Sequence, residues 1–258
     1  MTPSRSEREV VLHKELSKNY DVRLDPEFAK LYQRHWNQVL LSAIPPGAAA
    51  VLDCGCGTGV LLQDLVGRFT RVAGIDVSPD MLARVPPEIA RGCELAQCEL
   101  EKIAFPEKSF DVVFCRSILH HVGDIDGALA RIHDLLKPGG TLILSEPCAD
   151  SWLLKIPRWY WSRFSVRFDK DHHALSTHWI KECLARHGMK VSVVRKFGFV
   201  AFPLCGLSDI LPLMRYMPFS CALTRMLIGF DACCARVPVV NWQSWHMVIR
   251  AERVNGRL

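Results

Sequence analysis

Long apolar runs are missing from this sequence of 258 residues, although 49% of the residues are hydrophobic. No stretch approaches the roughly 18 to 20 apolar residues that a membrane-spanning helix requires, which argues against an integral membrane protein. The amino terminus lacks the apolar core of a secretion signal, so the expected location is the cytoplasm. The net charge of +5 comes without a dense block of lysine or arginine, so no nucleic acid partner is indicated.

Metal-ligand spacing is also missing, despite eleven cysteines. Cys54 and Cys56 are separated by one residue only. Cys233 and Cys234 are adjacent, and neither pair is matched by a second pair at zinc-site spacing. We therefore expect no metal and no disulfide framework, and we expect most cysteines to pack as small apolar residues in a reducing compartment.

Residues 50–59 are an apolar strand that ends in Asp53 and then breaks into alternating glycines, Gly55, Gly57 and Gly59. Because glycine has no Cβ and tolerates positive φ, such a turn lets a polar ligand approach the main chain closely. A nucleotide-type cofactor site is therefore predicted here.

The spacing of these glycines separates the classes of cofactor. A NAD fingerprint requires a third glycine at the sixth position, where this chain has Val60 or Leu62. The lysine motif of a phosphate-binding loop is absent as well. NAD-linked oxidoreduction is therefore disfavoured. Tighter binding of NAD than of other cofactors would support that function again.

Three further blocks follow in order. A second apolar strand, residues 71–76, ends at Asp76, where one carboxylate can accept from both hydroxyls of a ribose. The third block, residues 95–115, carries several acids and opens another strand, and the fourth, residues 136–147, passes through two glycines into an apolar strand. The alternation of helix and strand indicates a parallel sheet with helices on both faces.

Together the four blocks, over residues 51–147, resemble the class I S-adenosylmethionine (SAM) dependent methyltransferases of the methyltransferase type 11-like family. The resemblance implies a three-layer α/β/α Rossmann-like fold. Its seven-stranded, mainly parallel sheet would have the order 3-2-1-4-5-7-6 and carry helical lid insertions. The implied cofactor is SAM, and the implied product is S-adenosyl-L-homocysteine.

The resemblance also assigns site residues. Asp76 would bind the ribose, and Glu99 would meet the adenine amino group, with Glu101 as the competing acid. Tyr20 matches a tyrosine near the methionine end of SAM, although an ordinary anchoring role for it stays open. The remaining cofactor contacts would be Asp53, Gly55, Cys56, Gly57, Gly59, Val77, Met81, Leu100 and Cys115.

We expect three segments along the chain: a helical cap over the cofactor at 1–47, a SAM-binding core at 48–150, and the C-terminal half of the sheet at 151–258. Local patterns predict a helix over residues 60–69 and a second one that Thr177 caps. A last strand, residues 245–252, is expected to pair antiparallel at the sheet edge.

Two insertions in the C-terminal half, residues 152–175 and 199–240, are lid candidates. Six of the seven tryptophans lie at or beyond position 152. We expect these insertions to enclose a hydrophobic or amphipathic acceptor or to contact a membrane surface peripherally. Packing on the core, or forming a dimer surface, is the structural alternative.

A hydroxyl acceptor requires a base, and histidine is the natural choice near neutral pH. The candidates are His120 and His121, after the fourth strand, and His173 with its neighbour His172 in the first insertion. Glu146 is expected to orient the acceptor or to accept a helix-end N–H. No fixed catalytic residue belongs to the family motif.

The sequence therefore predicts transfer of a methyl group from SAM to a hydroxyl, or else to a carbon or nitrogen, of a hydrophobic small molecule or lipid-like acceptor. A catalytically silent SAM-binding scaffold or partner subunit is the main alternative. Aminopropyl transfer from decarboxylated SAM would need additional acids that the sequence does not reveal.

Overall fold

The computed structural model describes residues 24–155, 159, 174–208 and 211–254. Its centre is a seven-stranded sheet in the order β3-β2-β1-β4-β5-β7-β6, which confirms the predicted topology. The strands are β1 Ala50–Cys54, β2 Arg71–Asp76, β3 Glu94–Gln97, β4 Phe110–Arg116, β5 Leu136–Pro147, β6 Met189–Phe197 and β7 His246–Arg253. Tyr20, His172 and His173 lie outside the described residues, as does most of the first insertion.

The helices of the described residues are α1 Glu27–Leu41, α2 Leu62–Leu65, α3 Pro79–Leu82, α4 Pro87–Ala90, α5 Ile125–Leu135, α6 Thr177–Arg186, α7 Ser220–Cys234 and α8 Pro238–Asn241. A π-helical turn, Phe202–Gly206, and three 3₁₀ turns, Leu100–Lys102, Leu119–His121 and Pro212–Arg215, complete them.

Burial on both faces explains the apolar sequence of the central strands. Every residue of β1 is buried, and its alternate side chains enter two different clusters. Leu52 packs with α5 and α6 on one face, whereas Val51 packs with α1 and the 202–215 segment on the other. Strands buried on both faces lose the polar alternation of half-exposed strands. The result is a helix–sheet–helix sandwich.

Helix α1 lies against the sheet through residues spaced four apart. Phe28, Tyr32, Trp36 and Leu40 are buried along one face of this helix. Asn37 donates from Nδ2 to the carbonyl of Val60 at 2.7 Å. It also reaches Asp64 Oδ2 at 2.6 Å. These bonds tie α1 to the chain that leaves the glycine loop, so the helix covers that side of the sheet.

Three local predictions were wrong in detail. The helix expected over residues 60–69 is confined to Leu62–Leu65, because Val66 is extended and Gly67 has a φ of +81°. Ser176, not Thr177, caps α6, since its side chain accepts from the Trp179 N–H. Strand β7 is antiparallel as expected, but β6 is the edge strand and β7 lies between it and β5.

The second insertion folds into short helices that lie against α1. Its longest element, α7, contacts α1, and Asp231 of α7 accepts from the Val200 and Ala201 N–H groups at 2.9 and 3.0 Å. Among the helices of the described residues, none combines the length and the apolarity needed to cross a bilayer.

Candidate cofactor and acceptor site

The glycine loop after β1 is fixed to the end of β2 by main-chain bonds. The N–H groups of Gly55 and Cys56 both donate to the Ile75 carbonyl, at 2.8 and 2.9 Å. Gly55 has a φ of +71°, and a Cβ there would lie 2.7 Å from Ile118 Cγ1. Only glycine therefore permits both this turn and the close approach of residue 118.

Gly57 presents a different environment, because a Cβ built on it meets nothing within 4 Å. Its φ is +54°, and its N–H donates to Asp76 Oδ2 at 2.8 Å. Open space over a main chain that carries no side chain is the surface against which a flat ligand can lie.

Asp76 lies at the carboxyl end of β2, and its two carboxylate oxygens accept hydrogen bonds from different main-chain N–H groups. Oδ2 accepts from Gly57, and Oδ1 accepts from the Ser78 N–H at 2.9 Å. A carboxylate oxygen has two lone pairs, so each oxygen keeps one acceptor position for a ligand hydroxyl. The carboxylate is oriented by the loop beside which a ribose would lie.

Residues at the end of β3 lie beside Asp76 and Val77. Gln97 Nε2 donates to the Val77 carbonyl at 3.3 Å, and the Cys98 N–H donates to the Asp76 carbonyl at 3.1 Å. Glu99 follows directly, beyond the strand rather than at its last residue. Its Oε2 lies 2.9 Å from Lys102 Nζ. Leu100 and Met81 are buried.

Asp53, the last acid of β1, is buried and its Oδ1 has no hydrogen-bond partner among the described residues. Burial raises the pKa of Asp53 to about 7, while the Arg116 guanidinium opposes that rise. A buried acceptor without a donor costs free energy, roughly 1 to 3 kcal/mol. A ligand that brings a cationic donor to this position would remove the cost.

Arg116, at the end of β4, is a site residue that the sequence reading missed. Its guanidinium carbon lies 4.5 Å from the centre of the Trp36 ring, and its Nη2 donates to Gln33 Oε1. Both partners belong to α1. No motif predicted this contact, because α1 and β4 are far apart in the sequence and the sheet brings them together.

A carboxylate–histidine pair lies at the same edge of the sheet. Glu146 Oε2 contacts His120 Nδ1 at 2.6 Å, and its Oε1 accepts from the Ile118 and Leu119 N–H groups at 3.0 and 2.9 Å. Burial raises the pKa of Glu146 to about 7, against the lowering effect of these N–H donors. Of the two roles expected for Glu146, the structure shows the acceptance of N–H groups, and it adds a histidine contact that the sequence did not predict.

Three other predicted residues, His121, Cys115 and Cys56, lie near this pair or the glycine loop. The ring of His121 is 4.1 Å from that of His120, centre to centre. The Cys115 thiol is fully buried in the core and hydrogen-bonds to the free thiol of Cys54, its register partner in β1. The thiol of Cys56 is also buried. Because Ile118 packs on Gly55, the histidine turn adjoins the glycine loop.

A cluster of aromatic rings lies at the start of β7. His246 lies 4.4 Å from Trp36 and 4.2 Å from Phe202 between ring centres. Phe197 and Trp245 add to the same cluster. Trp36 donates from Nε1 to Ser145 Oγ at 3.0 Å, so its indole is fixed in place. This end of the sheet therefore carries a polar pair and a buried aromatic cluster.

Comparison with known proteins agrees with this geometry. A family model described as methyltransferase domain matches residues 52–144. An uncharacterized methyltransferase of Mycobacterium tuberculosis is 33% identical over 109 residues, which cover 42% of this chain and 55% of that protein. The chain thus spans about half the length of that relative.

A longer match is to the ubiquinone/menaquinone biosynthesis C-methyltransferase of Xanthomonas campestris. It is 30% identical over 207 residues, which cover 74% of this chain and 80% of that protein. Among solved structures, a SAM-dependent methyltransferase from Thermotoga maritima superposes with a TM-score of 0.63 over 97% of this chain and 100% of its own, at 18% identity. The glycine loop, the strand order and these matches together show that the chain belongs to the class I SAM-dependent methyltransferases.

Proposed function

We propose that this protein transfers a methyl group from SAM to a hydrophobic, lipid-like small molecule. The observation that carries the proposal is the juxtaposition of two features at one sheet edge. The glycine loop with Asp76 forms a cofactor cradle, and the Glu146–His120 pair adjoins it through Ile118.

The residues present fit SAM. Asp76 would accept from the ribose hydroxyls, and Gly57 would leave room for the adenosine against the main chain. Glu99 and Val77, near the end of β3, would contact the adenine. The unpartnered Oδ1 of Asp53 would pair with the ammonium of the methionine portion, because that is the cationic donor this cofactor carries.

One prediction concerns the pH dependence of SAM binding. Burial raises the pKa of Asp53 to about 7, so the carboxyl is mostly neutral below pH 7 and ionised above it. A bound ammonium favours the ionised form. We therefore expect SAM affinity, measured by calorimetry, to rise roughly fivefold to tenfold from about pH 6 to pH 7.5, because one pKa unit corresponds to a tenfold change.

The control is Asp53→Asn, which keeps the shape of the side chain and removes the titration. This variant should bind SAM more weakly at the higher pH and show a flat profile over the same range. A wild-type profile that is equally flat would contradict the role given to Asp53.

The cofactor supplies an activated methyl group on its sulfonium, so the protein needs no group that creates a leaving group. Its own residues hold the acceptor in line, exclude water and take up a proton. An ionised Glu146 can only accept, so His120 Nδ1 must carry the hydrogen of their bond. Nε2 of His120 then keeps a lone pair that can receive the acceptor's proton.

Trp36, Phe202 and His246 form a buried apolar cluster, and we infer that an acceptor bound against it is apolar rather than small and polar. The Xanthomonas relative is named for quinone biosynthesis, which supports the lipid-like class. We place the methyl group on a hydroxyl, since a base at this position matches that need. Because the same relative is named a C-methyltransferase, a ring carbon is the second candidate.

The experiment is a turnover assay with methyl-labelled SAM and separate pools of quinols, polyphenols and lipids. Formation of S-adenosylhomocysteine together with a labelled apolar product supports the proposal, and mass spectrometry of the product distinguishes oxygen from carbon methylation. SAM binding without turnover in any pool would favour a silent scaffold and contradict the proposed reaction.

A further inference from the structure

The exposed large apolar side chains of the described residues are concentrated in one region. All of them except Trp179 come from residues 152–159 or 213–242. We define the outer apolar surface as Phe219, Met226 and Phe230, which follow one side of α7 at helical spacing, together with Tyr216 just before them. Tyr216 is 81% exposed and Phe219 is 85% exposed. Surface apolar residues normally occur singly, so this concentration marks an interaction site.

Helix α7 carries apolar side chains on two adjacent sides. Its inner side packs on the core through Leu223, Leu227 and Ile228. The neighbouring side, reached from Leu223 and Leu227 by steps of three residues, carries the exposed Met226 and Phe230. A helix that covers a domain surface normally presents polar residues outward, and one that is apolar all round is buried on both sides. The exposed apolar side of α7 departs from that norm, which makes it a candidate contact surface.

The loop before α7 holds an aromatic ring outward at an energetic cost. Phe219 has a φ of +57°, in the left-handed region that residues with a Cβ rarely adopt. It precedes α7 without a side-chain cap and remains exposed. A strained, exposed phenylalanine next to an apolar helix face has the geometry of an insertion anchor.

Charge identifies the partner. Arg215, Arg225 and Arg236 are all exposed in the segment that carries this surface. Between residues 211 and 245 the sequence has a single acid, Asp231. Its carboxylate accepts from the Val200 and Ala201 N–H groups, so it is turned inward. The surface is consequently apolar with a positive rim.

We propose that the outer apolar surface docks on an anionic phospholipid bilayer. Phe219, Met226 and Phe230 would enter the interface between headgroups and acyl chains, and the three arginines would pair with lipid phosphates. A two-fold contact with a second copy is disfavoured, because it would bring the arginines of one copy against those of the other. The inference does not depend on methyl transfer, since docking is measured without any reaction.

The test is co-flotation of the full-length protein with vesicles of phosphatidylcholine alone and with about 30% phosphatidylglycerol added. We expect the protein to float with the anionic vesicles. The double variant F219S/F230S and the single variant R225E should each reduce the bound fraction about fivefold or more, as should high salt for the wild type. Thermal unfolding of each variant checks that it is folded.

Matched controls lie on α6. Of the described residues, Trp179 is the one exposed large apolar side chain outside this region, and W179S removes it. K181E reverses an exposed cation on the same helix. Both should float like the wild type. Three results would overturn the proposal: no flotation on anionic vesicles, an equal loss in W179S or K181E, or a concentration-dependent dimer in sedimentation that F219S/F230S abolishes.

Discussion

Glu146→Gln is expected to lower kcat about 100-fold to 1,000-fold while leaving SAM affinity within about twofold. The glutamine oxygen can still accept from the Ile118 and Leu119 N–H groups, so the turn is preserved. Its amide nitrogen, however, donates where the carboxylate accepted. His120 must then accept at Nδ1 and carry its hydrogen on Nε2, which removes the lone pair that takes the proton.

The pH profile separates this positioning role of Glu146 from a merely structural one. Burial raises the pKa of Glu146 to about 7, so the wild-type rate should rise with pH through about 7 as the Glu146–His120 pair loses its proton. Glu146→Gln should lose that inflection. Glu182→Gln, an exposed carboxylate on α6, is the matched control. An unchanged kcat in Glu146→Gln would remove the pair from the mechanism.

Asp76→Ala is expected to weaken SAM binding by about 100-fold or more. The carboxylate would give two charge-assisted hydrogen bonds to the ribose, each of which contributes roughly 1.5 to 3 kcal/mol. The substitution also removes the acceptor of the Gly57 N–H, so the loop loses the bond that fixes its open surface. Both effects act in the same direction, and calorimetry with SAM measures their sum.

Asp80→Ala provides the control for Asp76→Ala. It removes the same charge four residues further along, from an exposed position on α3. Its dissociation constant should stay within about twofold of the wild type. If Asp76→Ala bound SAM as tightly as Asp80→Ala, the ribose would not be held by Asp76.

The central strands were predictable from the sequence because each of them carries a local signal. Each central strand is an apolar run that ends in a recognisable residue, such as Asp53 or Asp76, and the strand order came with the family resemblance. The helix after the glycine loop was overpredicted, because the apolar pattern through residue 69 continues beyond the point where Val66 becomes extended.

The proposed acceptor side was less predictable, since it is assembled from distant segments. Arg116 faces Trp36 and Gln33 of α1, and His246 packs on Trp36 and Phe202. No spacing rule links these positions. Sequence reading found His120 and Glu146 separately, but their 2.6 Å contact exists only because β4 and β5 are neighbours in the sheet.

The measurement that tests the account most directly is calorimetric titration of the purified wild-type protein with SAM and, separately, with NAD. A loop shaped for SAM predicts saturable binding of one SAM per chain, far tighter than any binding of NAD. Absence of SAM binding at millimolar concentration, or tighter binding of NAD, would contradict the claim that the turn after β1 is a SAM site.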